Sequence, residues 1–107
     1  MEKPISLSVV VCTYNGAKYL QPQLESLLRQ TLMPTEILIH DDGSTDGTLD
    51  IAHAYAERFP IIRVVKNEGR HGVNTNFFAA LHKASGDFIA ICDQDDIWEP
   101  TKLEHQY

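Results

Sequence analysis

The sequence predicts an α/β fold: a Rossmann-like, mostly parallel sheet with helices on both faces. Apolar, β-branched runs alternate along the chain with segments in which apolar residues recur at helical spacing. The strand-like runs are almost continuously apolar, which is typical of strands covered by helices on both faces. With 107 residues, 43% of them hydrophobic, the chain has the size and composition of one globular domain.

The first part of the chain predicts two strands joined by a helix. Residues 7–12, Leu-Ser-Val-Val-Val-Cys, predict a strand that ends before the turn-prone pair Asn15-Gly16. Residues 17–30 carry leucines at helical spacing and predict the first helix. The second strand is predicted over residues 36–40, which have three consecutive aliphatic residues at their centre.

The middle of the chain predicts a polar loop, a helix and a third strand. The loop covers residues 41–47 and is rich in Asp, Ser, Thr and Gly. Thr45 or Asp46 is well placed to cap a helix over residues 48–58. A shorter strand is predicted over residues 61–65.

The last part of the chain predicts a third helix and a fourth strand. The helix is expected over residues 73–84 and is ended by Ser85-Gly86. The strand is expected over residues 88–92. Pro100 is expected to open a last helix, because proline is favoured in the first helical turn.

Polar clusters follow three of the four predicted strands. Because the carboxyl ends of parallel strands share one edge of the sheet, these clusters are expected to form one site there. The clusters are Thr13-Tyr14-Asn15, Asp41-Asp42, and Asp93-Gln94-Asp95-Asp96.

The third cluster predicts a divalent cation. Asp93, Asp95 and Asp96 come directly after an apolar strand, and carboxylates so close together repel one another unless a cation neutralises them. Hard oxygen ligands on a short loop suit Mg²⁺ or Mn²⁺ shared with substrate phosphates.

Charge and motif searches exclude several other functions. The net charge of −6, from 15 acidic and 9 basic residues, disfavours nucleic-acid binding. No G-x-G-x-x-G follows the first strand, and no P-loop is present. Residues 42–47 match the first half of a calcium loop, but His53 stands where that loop requires a bidentate Glu.

The sequence also gives expectations about location. The first residues lack the apolar segment of a signal peptide, and no run approaches the roughly 20 apolar residues of a membrane span. Cys12 and Cys92 lie in apolar, strand-like contexts and match no zinc spacing. We therefore expect a cytoplasmic protein with buried thiols, or one at the inner face of the membrane.

Three stretches taken together resemble the family 2 glycosyltransferases, which have the GT-A fold. They are 9–16 (Val-Val-Val-Cys-Thr-Tyr-Asn-Gly), 41–46 (Asp-Asp-Gly-Ser-Thr-Asp) and 93–98 (Asp-Gln-Asp-Asp-Ile-Trp). They come in the family's order and spacing and span nearly the whole chain. The third resembles the version found in rhamnosyltransferase-like members, which implies a deoxythymidine-diphosphate donor.

The resemblance implies a role for each matching residue. Thr13, Tyr14 and Asp42 would form the nucleotide base pocket, with Asp41 beside it as support. Asp93 and Asp95 would be the acids of the family's D-x-D motif and bind the metal, with Asp95 the more direct ligand. The complete nucleotide-binding set implied is Thr13, Tyr14, Asn15, Asp41, Asp42 and Asp93. Residues 72–76 would face the nucleotide sugar.

These roles imply an inverting, metal-dependent transferase. Its donor would be a nucleotide-diphospho-sugar and its acceptor a saccharide or a lipid-linked hydroxyl, in bacterial surface polysaccharide synthesis. The resemblance puts the general base beyond residue 107, so residues 1–107 would be the donor-binding half and inactive alone. Apolar surface left bare by the other half would favour self-association.

Two other interpretations stay open on the sequence alone. A phosphoacceptor receiver domain has similar length, alternation and magnesium-binding acids, although its acids follow the first and third strands. Here those strands end in Thr13-Tyr14-Asn15 and Lys66-Asn67. A non-catalytic nucleotide-sugar binding module would present the same donor-site residues as the enzyme.

Overall fold

A computed structural model describes residues 6–30, 33–68, 72–86 and 88–92. Their elements alternate along the chain as β1 (Leu7–Thr13), α1 (Ala17–Leu28), β2 (Glu36–Asp41), α2 (Thr48–Arg58), β3 (Ile62–Lys66), α3 (Val73–Lys83) and β4 (Phe88–Cys92). The strands form one parallel sheet in the order β3-β2-β1-β4. The α/β fold and the alternation predicted from the sequence are therefore confirmed. The helix expected at Pro100 lies outside the described residues.

Both strands that lead into the site are one residue longer than predicted. Thr13 and Asp41 pair with each other at the ends of β1 and β2, so each belongs to its strand. Their polar side chains made them look like loop residues, but a hydrogen bond between them allows both to be buried. The third strand is displaced by one residue from its predicted range.

Helices α1 and α2 cover one face of the sheet and build the main core. Buried α1 leucines and α2 residues pack against side chains of β1 and β2 that point to this face. Each such aliphatic side chain stabilises the fold by about 1.5–3 kcal/mol on burial. The cluster includes Leu20, Leu24, Leu27, Ala52, Tyr55, Val9, Val11, Ile37 and Ile39.

Helix α3 packs on the opposite face of the sheet. His40 alternates with Ile39 along β2, so its side chain points away from the main core. There it meets Asn76 of α3, and both side chains are buried. The helices therefore lie on both faces, as the fold class requires.

Two further observations concern membrane-spanning helices and the two cysteines. In the part of the chain that the structure describes, no helix is long and apolar enough to cross a membrane. Cys92 is buried and Cys12 is half-buried. The Gln23 amide donates to the Cys92 sulfur at 3.3 Å, so this thiol is part of the core packing.

Candidate functional site

The loops that follow β1 and β2 meet at the carboxyl edge of the sheet. The Thr13 hydroxyl donates to Asp41 Oδ1 at 2.7 Å, and the Asp42 backbone N–H donates to the Thr13 carbonyl at 2.9 Å. Two of the three polar clusters predicted to share this edge are thus brought together. We call this region, residues 13–17 and 41–48, the carboxyl-edge site.

Asp41 is fully buried, and hydrogen bonds from its own chain occupy both of its carboxylate oxygens. Its Oδ1 accepts from the hydroxyls of Thr13 at 2.7 Å and Ser44 at 2.6 Å. Its Oδ2 accepts from the backbone N–H groups of Gly43 at 3.1 Å and Ser44 at 2.9 Å. A carboxylate offers about four acceptor positions, so Asp41 has none left for a ligand. This geometry gives Asp41 a supporting role in the loop.

Gly43 is the residue that lets the loop turn back over Asp41. Its φ is 89°, a left-handed conformation that costs a residue with a Cβ and costs glycine little. The turn delivers the N–H groups of Gly43 and Ser44 to the same carboxylate oxygen. The Asp-Gly-Ser order of the second motif is thus explained by the geometry of the turn.

Asp42 keeps some exposure to solvent, 9%, where Asp41 has none. Its Oδ1 accepts from the Asn67 amide at 2.8 Å, and its Oδ2 accepts from the Gly72 backbone N–H at 2.9 Å. These contacts fix the carboxylate between the ends of β2 and β3 and the start of α3. Both adjacent acids are buried, and Asp42 is the one that keeps a small area in contact with solvent.

Tyr14 is 56% exposed, although it lies directly after a buried strand. An aromatic ring so exposed is not packed in the core, and it offers a face to a planar ligand. Asn15, which follows it, has a φ of 50° and points its amide oxygen at the backbone N–H of Thr45, at 2.7 Å. The structure thus uses the Asn15 side chain to join the two loops.

The start of α3 is held to the end of β2 by His40 and Asn76. His40 Nδ1 lies 2.6 Å from Asn76 Oδ1, and the Asn76 amide donates to the His40 carbonyl at 3.1 Å. Because Asn76 Oδ1 can only accept, Nδ1 carries the proton. Among the described residues, His40 Nε2 is a buried atom without a hydrogen-bond partner. Burial lowers the pKa of His40, so the ring is neutral at pH 7.

His40 and Asn67 contribute to this edge although the sequence predicted no role for either. Asp46, predicted as a candidate cap of α2, accepts from the Thr48 backbone N–H at 3.0 Å. A histidine in the centre of an aliphatic run signals a specific buried partner, and His40 is such a residue. Of residues 72–76, expected to face the nucleotide sugar, Gly72 contacts Asp42 and Asn76 contacts His40.

The predicted metal ligands Asp93 and Asp95 lie outside the described residues. The described chain reaches the residue before them: Cys92, at the end of β4, pairs with Val11 of β1. β4 therefore ends beside the strand that carries Thr13. Within residues 6–30, 33–68, 72–86 and 88–92, no group of three or more His, Cys, Asp or Glu side chains could hold a metal ion.

Comparisons with known proteins agree with this architecture. Residues 8–107 match the model of the family described as "Glycosyl transferase family 2". A putative teichuronic acid biosynthesis glycosyltransferase, TuaG of Bacillus subtilis, is 38% identical over 104 residues, which are 97% of this chain and 41% of that protein.

Two solved structures give the same result for the fold. TarS 1-349 of S. aureus, in complex with UDP, superposes with a TM-score of 0.83 at 33% identity, over 95% of this chain and 31% of that one. The mannosyltransferase PcManGT of Pyrobaculum calidifontis, in complex with GDP-Man and Mn²⁺, gives 0.83 at 29% identity, over 94% and 31%.

The chain spans less than half the length of each of these relatives. The family match nevertheless covers all four strands apart from the first residue of β1, and both loops of the carboxyl-edge site. This chain belongs to the family 2 glycosyltransferases and has their GT-A, Rossmann-like fold.

Proposed function

We propose that the protein transfers a sugar from a nucleotide-diphospho-sugar to an acceptor, and that this chain binds the nucleotide of the donor. One observation carries the proposal: an exposed Tyr14 and an Asp42 that keeps 9% exposure lie on adjacent loops of the carboxyl edge, while Thr13 and Asp41 hold those loops together. The TarS structure with UDP and the PcManGT structure with GDP-Man support the ligand class. The family match also decides against the receiver-domain alternative.

Base recognition follows from the chemistry of Tyr14 and Asp42. The Tyr14 ring offers a face on which a base can stack, and the Asp42 carboxylate can accept a hydrogen bond from a ring N–H. The Asn67 and Gly72 donors keep the Asp42 carboxylate in place before a ligand arrives. The free-energy cost of ordering the site on binding is then smaller than it would be if the acid were mobile.

We further propose Mn²⁺ or Mg²⁺ as cofactor, held by Asp93 and Asp95. Carboxylates are the hard oxygen donors that these ions prefer, and the PcManGT structure was obtained with Mn²⁺. When bound, the ion would stabilise the negative charge that develops on the leaving diphosphate. Asp93 would also contact the nucleotide.

The finer parts of the function are proposals of the same kind. We propose inversion at the transferred sugar, a saccharide or lipid-linked acceptor, and a role in bacterial surface polysaccharide synthesis at the inner face of the membrane. TuaG, named for teichuronic acid biosynthesis, supports the polysaccharide role. The general base is expected beyond residue 107, so we propose that residues 1–107 bind the donor without turning it over.

Exposed aliphatic residues on β4 support the proposed self-association of this chain. Ile89 and Ile91 are 39% and 42% exposed on the sheet face that carries α3, and Phe78 of α3 is 61% exposed. Apolar side chains exposed together favour contact with another apolar surface. Sedimentation of residues 1–107 should then show an average mass that rises with protein concentration.

Calorimetric titration of UDP, GDP and dTDP, with and without Mn²⁺, tests the donor-binding proposal. Asp42→Asn should weaken binding of the preferred nucleotide about tenfold, because an acceptor facing a base N–H becomes a donor in half of the amide orientations. Asp95→Ala should abolish the increase in affinity caused by Mn²⁺.

Asp50→Asn is the matched control, since Asp50 is exposed on the first turn of α2 and outside the site. It should bind like the wild type. Wild-type protein that binds none of the three nucleotides, with or without Mn²⁺, would overturn the proposed function.

A further inference from the structure

Asp46 bridges the beginnings of two helices. Its Oδ2 accepts from the backbone N–H of Ala17, the first residue of α1, at 3.1 Å. Its Oδ1 accepts from the backbone N–H of Thr48, the first residue of α2, at 3.0 Å, and also from the Thr48 hydroxyl. One carboxylate therefore satisfies N–H groups of two helices that belong to different βα units.

The preceding residues at both helix starts explain why this carboxylate is needed. Each helix has a glycine at its N-cap position, Gly16 for α1 and Gly47 for α2, and glycine has no side chain to cap a helix. The positive ends of both helix dipoles favour an anion at this point. The hydrogen bond from the Thr48 hydroxyl, together with those from backbone N–H groups, lowers the pKa of Asp46 and keeps it ionised.

Thr48 extends the bridge back to the first loop. Its side-chain oxygen is fully buried and accepts from the Gly16 backbone N–H at 3.0 Å while its proton is directed to Asp46. Gly16 and Ala17 are therefore both tied to the loop that follows β2. These two residues are the ones that carry the first loop into α1.

The residues that flank Tyr14 are held by the same loop. Before Tyr14, the Thr13 hydroxyl donates to Asp41. After it, the Asn15 backbone N–H donates to the Ser44 hydroxyl at 2.8 Å, and the Asn15 amide oxygen accepts from Thr45. The Tyr14 side chain is 56% exposed between these fixed neighbours. The contacts of its neighbours thus fix the backbone of Tyr14 and with it the direction of its Cα–Cβ bond.

We infer that Asp46 is a positioning residue for nucleotide binding: by joining the starts of α1 and α2, it fixes the backbone that presents the Tyr14 ring to the base. This inference rests on the proposed function. It adds to that function a residue, Asp46, that acts without contacting the nucleotide. Asp46 acts through Tyr14, so removing the bridge should weaken binding only while the ring is present.

A double-mutant cycle on the intact protein tests this dependence. The affinity for whichever of UDP, GDP and dTDP binds best is measured for wild type, Asp46→Asn, Tyr14→Ala and the double variant, with Asp50→Asn as control. Tyr14→Ala should weaken binding about tenfold through lost stacking. Asp46→Asn should approach that loss, because one amide group cannot accept from the N–H donors on both sides.

The double variant decides between an action through Tyr14 and a general loss of structure. Binding within about twofold of Tyr14→Ala alone is the expected result, since the two changes remove one interaction. Losses that multiply in the double variant, or an Asp46→Asn variant that binds like Asp50→Asn, would overturn the inference.

Amide hydrogen exchange gives a readout that needs no nucleotide. The N–H groups of Gly16 and Ala17 should exchange faster in Asp46→Asn than in Asp50→Asn, while those of Ile37–Ile39 in the buried β2 stay protected and show that the fold is intact. Unchanged exchange at Gly16 and Ala17 would overturn the bridge itself. Failure of wild type to bind any nucleotide would instead overturn the proposed function, and with it the link from Asp46 to a ligand.

Discussion

The two edges of the sheet both contain a hydrogen-bonded network around a carboxylate, and they differ in the side chains that lie beside it. At the amino edge, Glu36 Oε1 accepts from the Ser8 hydroxyl at 2.9 Å and from the Ser85 backbone N–H at 3.1 Å. The Ser8 hydroxyl accepts from the Gly86 N–H at 2.8 Å, which closes the network. The carboxyl edge is built in the same way around Asp41, but beside that network Tyr14 is exposed and Asp42 keeps 9% exposure.

The two edges also differ in how their charge is balanced. Glu36 forms an ion pair with Arg63, at 3.4 Å between Oε2 and Nη1. Among the described residues, Asp41 and Asp46 accept hydrogen bonds from neutral hydroxyl and backbone N–H donors. At the carboxyl edge, hydrogen bonds thus stabilise the negative charges of Asp41 and Asp46, whereas Glu36 at the amino edge also pairs with a cation.

Of the substitutions that test this comparison, Gly86→Ala at the amino edge is expected to change the free energy of unfolding most. A Cβ at Gly86 would lie 2.6 Å from the Ser8 backbone nitrogen and 2.6 Å from its hydroxyl oxygen, and the backbone cannot move away alone. We expect the free energy of unfolding to fall by about 3 kcal/mol, measured by urea denaturation.

Gly47→Ala is the matched control for that substitution. The nearest atom to its Cβ would be the Ala17 Cβ at 4.0 Å, and its φ of −79° suits any residue. Gly47→Ala should change the free energy of unfolding by less than about 0.5 kcal/mol. If Gly86→Ala lowered the free energy of unfolding no more than Gly47→Ala does, the close approach of Gly86 to Ser8 would not be important for the stability of the amino edge.

Asp41→Asn should have the next largest effect, at the carboxyl edge. Both Asp41 oxygens accept hydrogen bonds, so an amide nitrogen would face two donors in either orientation. We expect a loss of about 2 kcal/mol in the free energy of unfolding, measured by urea denaturation, because buried donors lose their acceptor. Asp50→Asn should leave it unchanged, and equal stability of Asp41→Asn and Asp50→Asn would show that the loop does not depend on this carboxylate.

The sequence predicted the secondary structure closely and the roles within the site only in part. Apolar runs and helical spacing depend on neighbouring residues, so α2 is found over the predicted range, residues 48–58. By contrast, the local residue pattern does not distinguish Asp41 from Asp42, and only the family resemblance predicted different roles for them. In the structure they differ because one faces into the loop and the other toward α3. Gly86 likewise depends on its approach to Ser8, which lies 78 residues earlier in the chain.

A change of pH is expected to have a smaller effect on the free energy of unfolding, through protonation of His40. Burial lowers the pKa of His40 below its ordinary value of 6.5, while the nearby Lys83 lowers it further and Asp41, Asp42 and the Asn76 hydrogen bond act in the opposite direction. Below pH 6.5 the unfolded chain binds a proton that the folded chain does not. The free energy of unfolding should therefore fall as pH decreases from 6.5 toward the folded pKa, by at most about 1.4 kcal/mol per pH unit.

Urea denaturation between pH 7.5 and 5 measures this dependence, with His53→Gln as the matched control. His53 is exposed on α2 and lies apart from the buried contact between His40 and Asn76. His40→Gln should reduce the slope below pH 6.5, whatever its effect on stability at pH 7.5. A slope that is the same in both variants would show that His40 is not the group that titrates.

The smallest effect is expected from Arg63→Gln, which removes the cation of the amino edge. The Arg63 side chain is 47% exposed, and an ion pair with an exposed partner contributes about 0.5 kcal/mol. Glu36 keeps its hydrogen bonds from Ser8 and Ser85 when the guanidinium is lost, so the network stays closed. Urea denaturation at low and high salt should show a loss of about that size which shrinks as salt screens the pair. A loss as large as that of Gly86→Ala would mean that charge balance, and not backbone packing, holds the amino edge together, and the contrast with the carboxyl edge would then be one of charge alone.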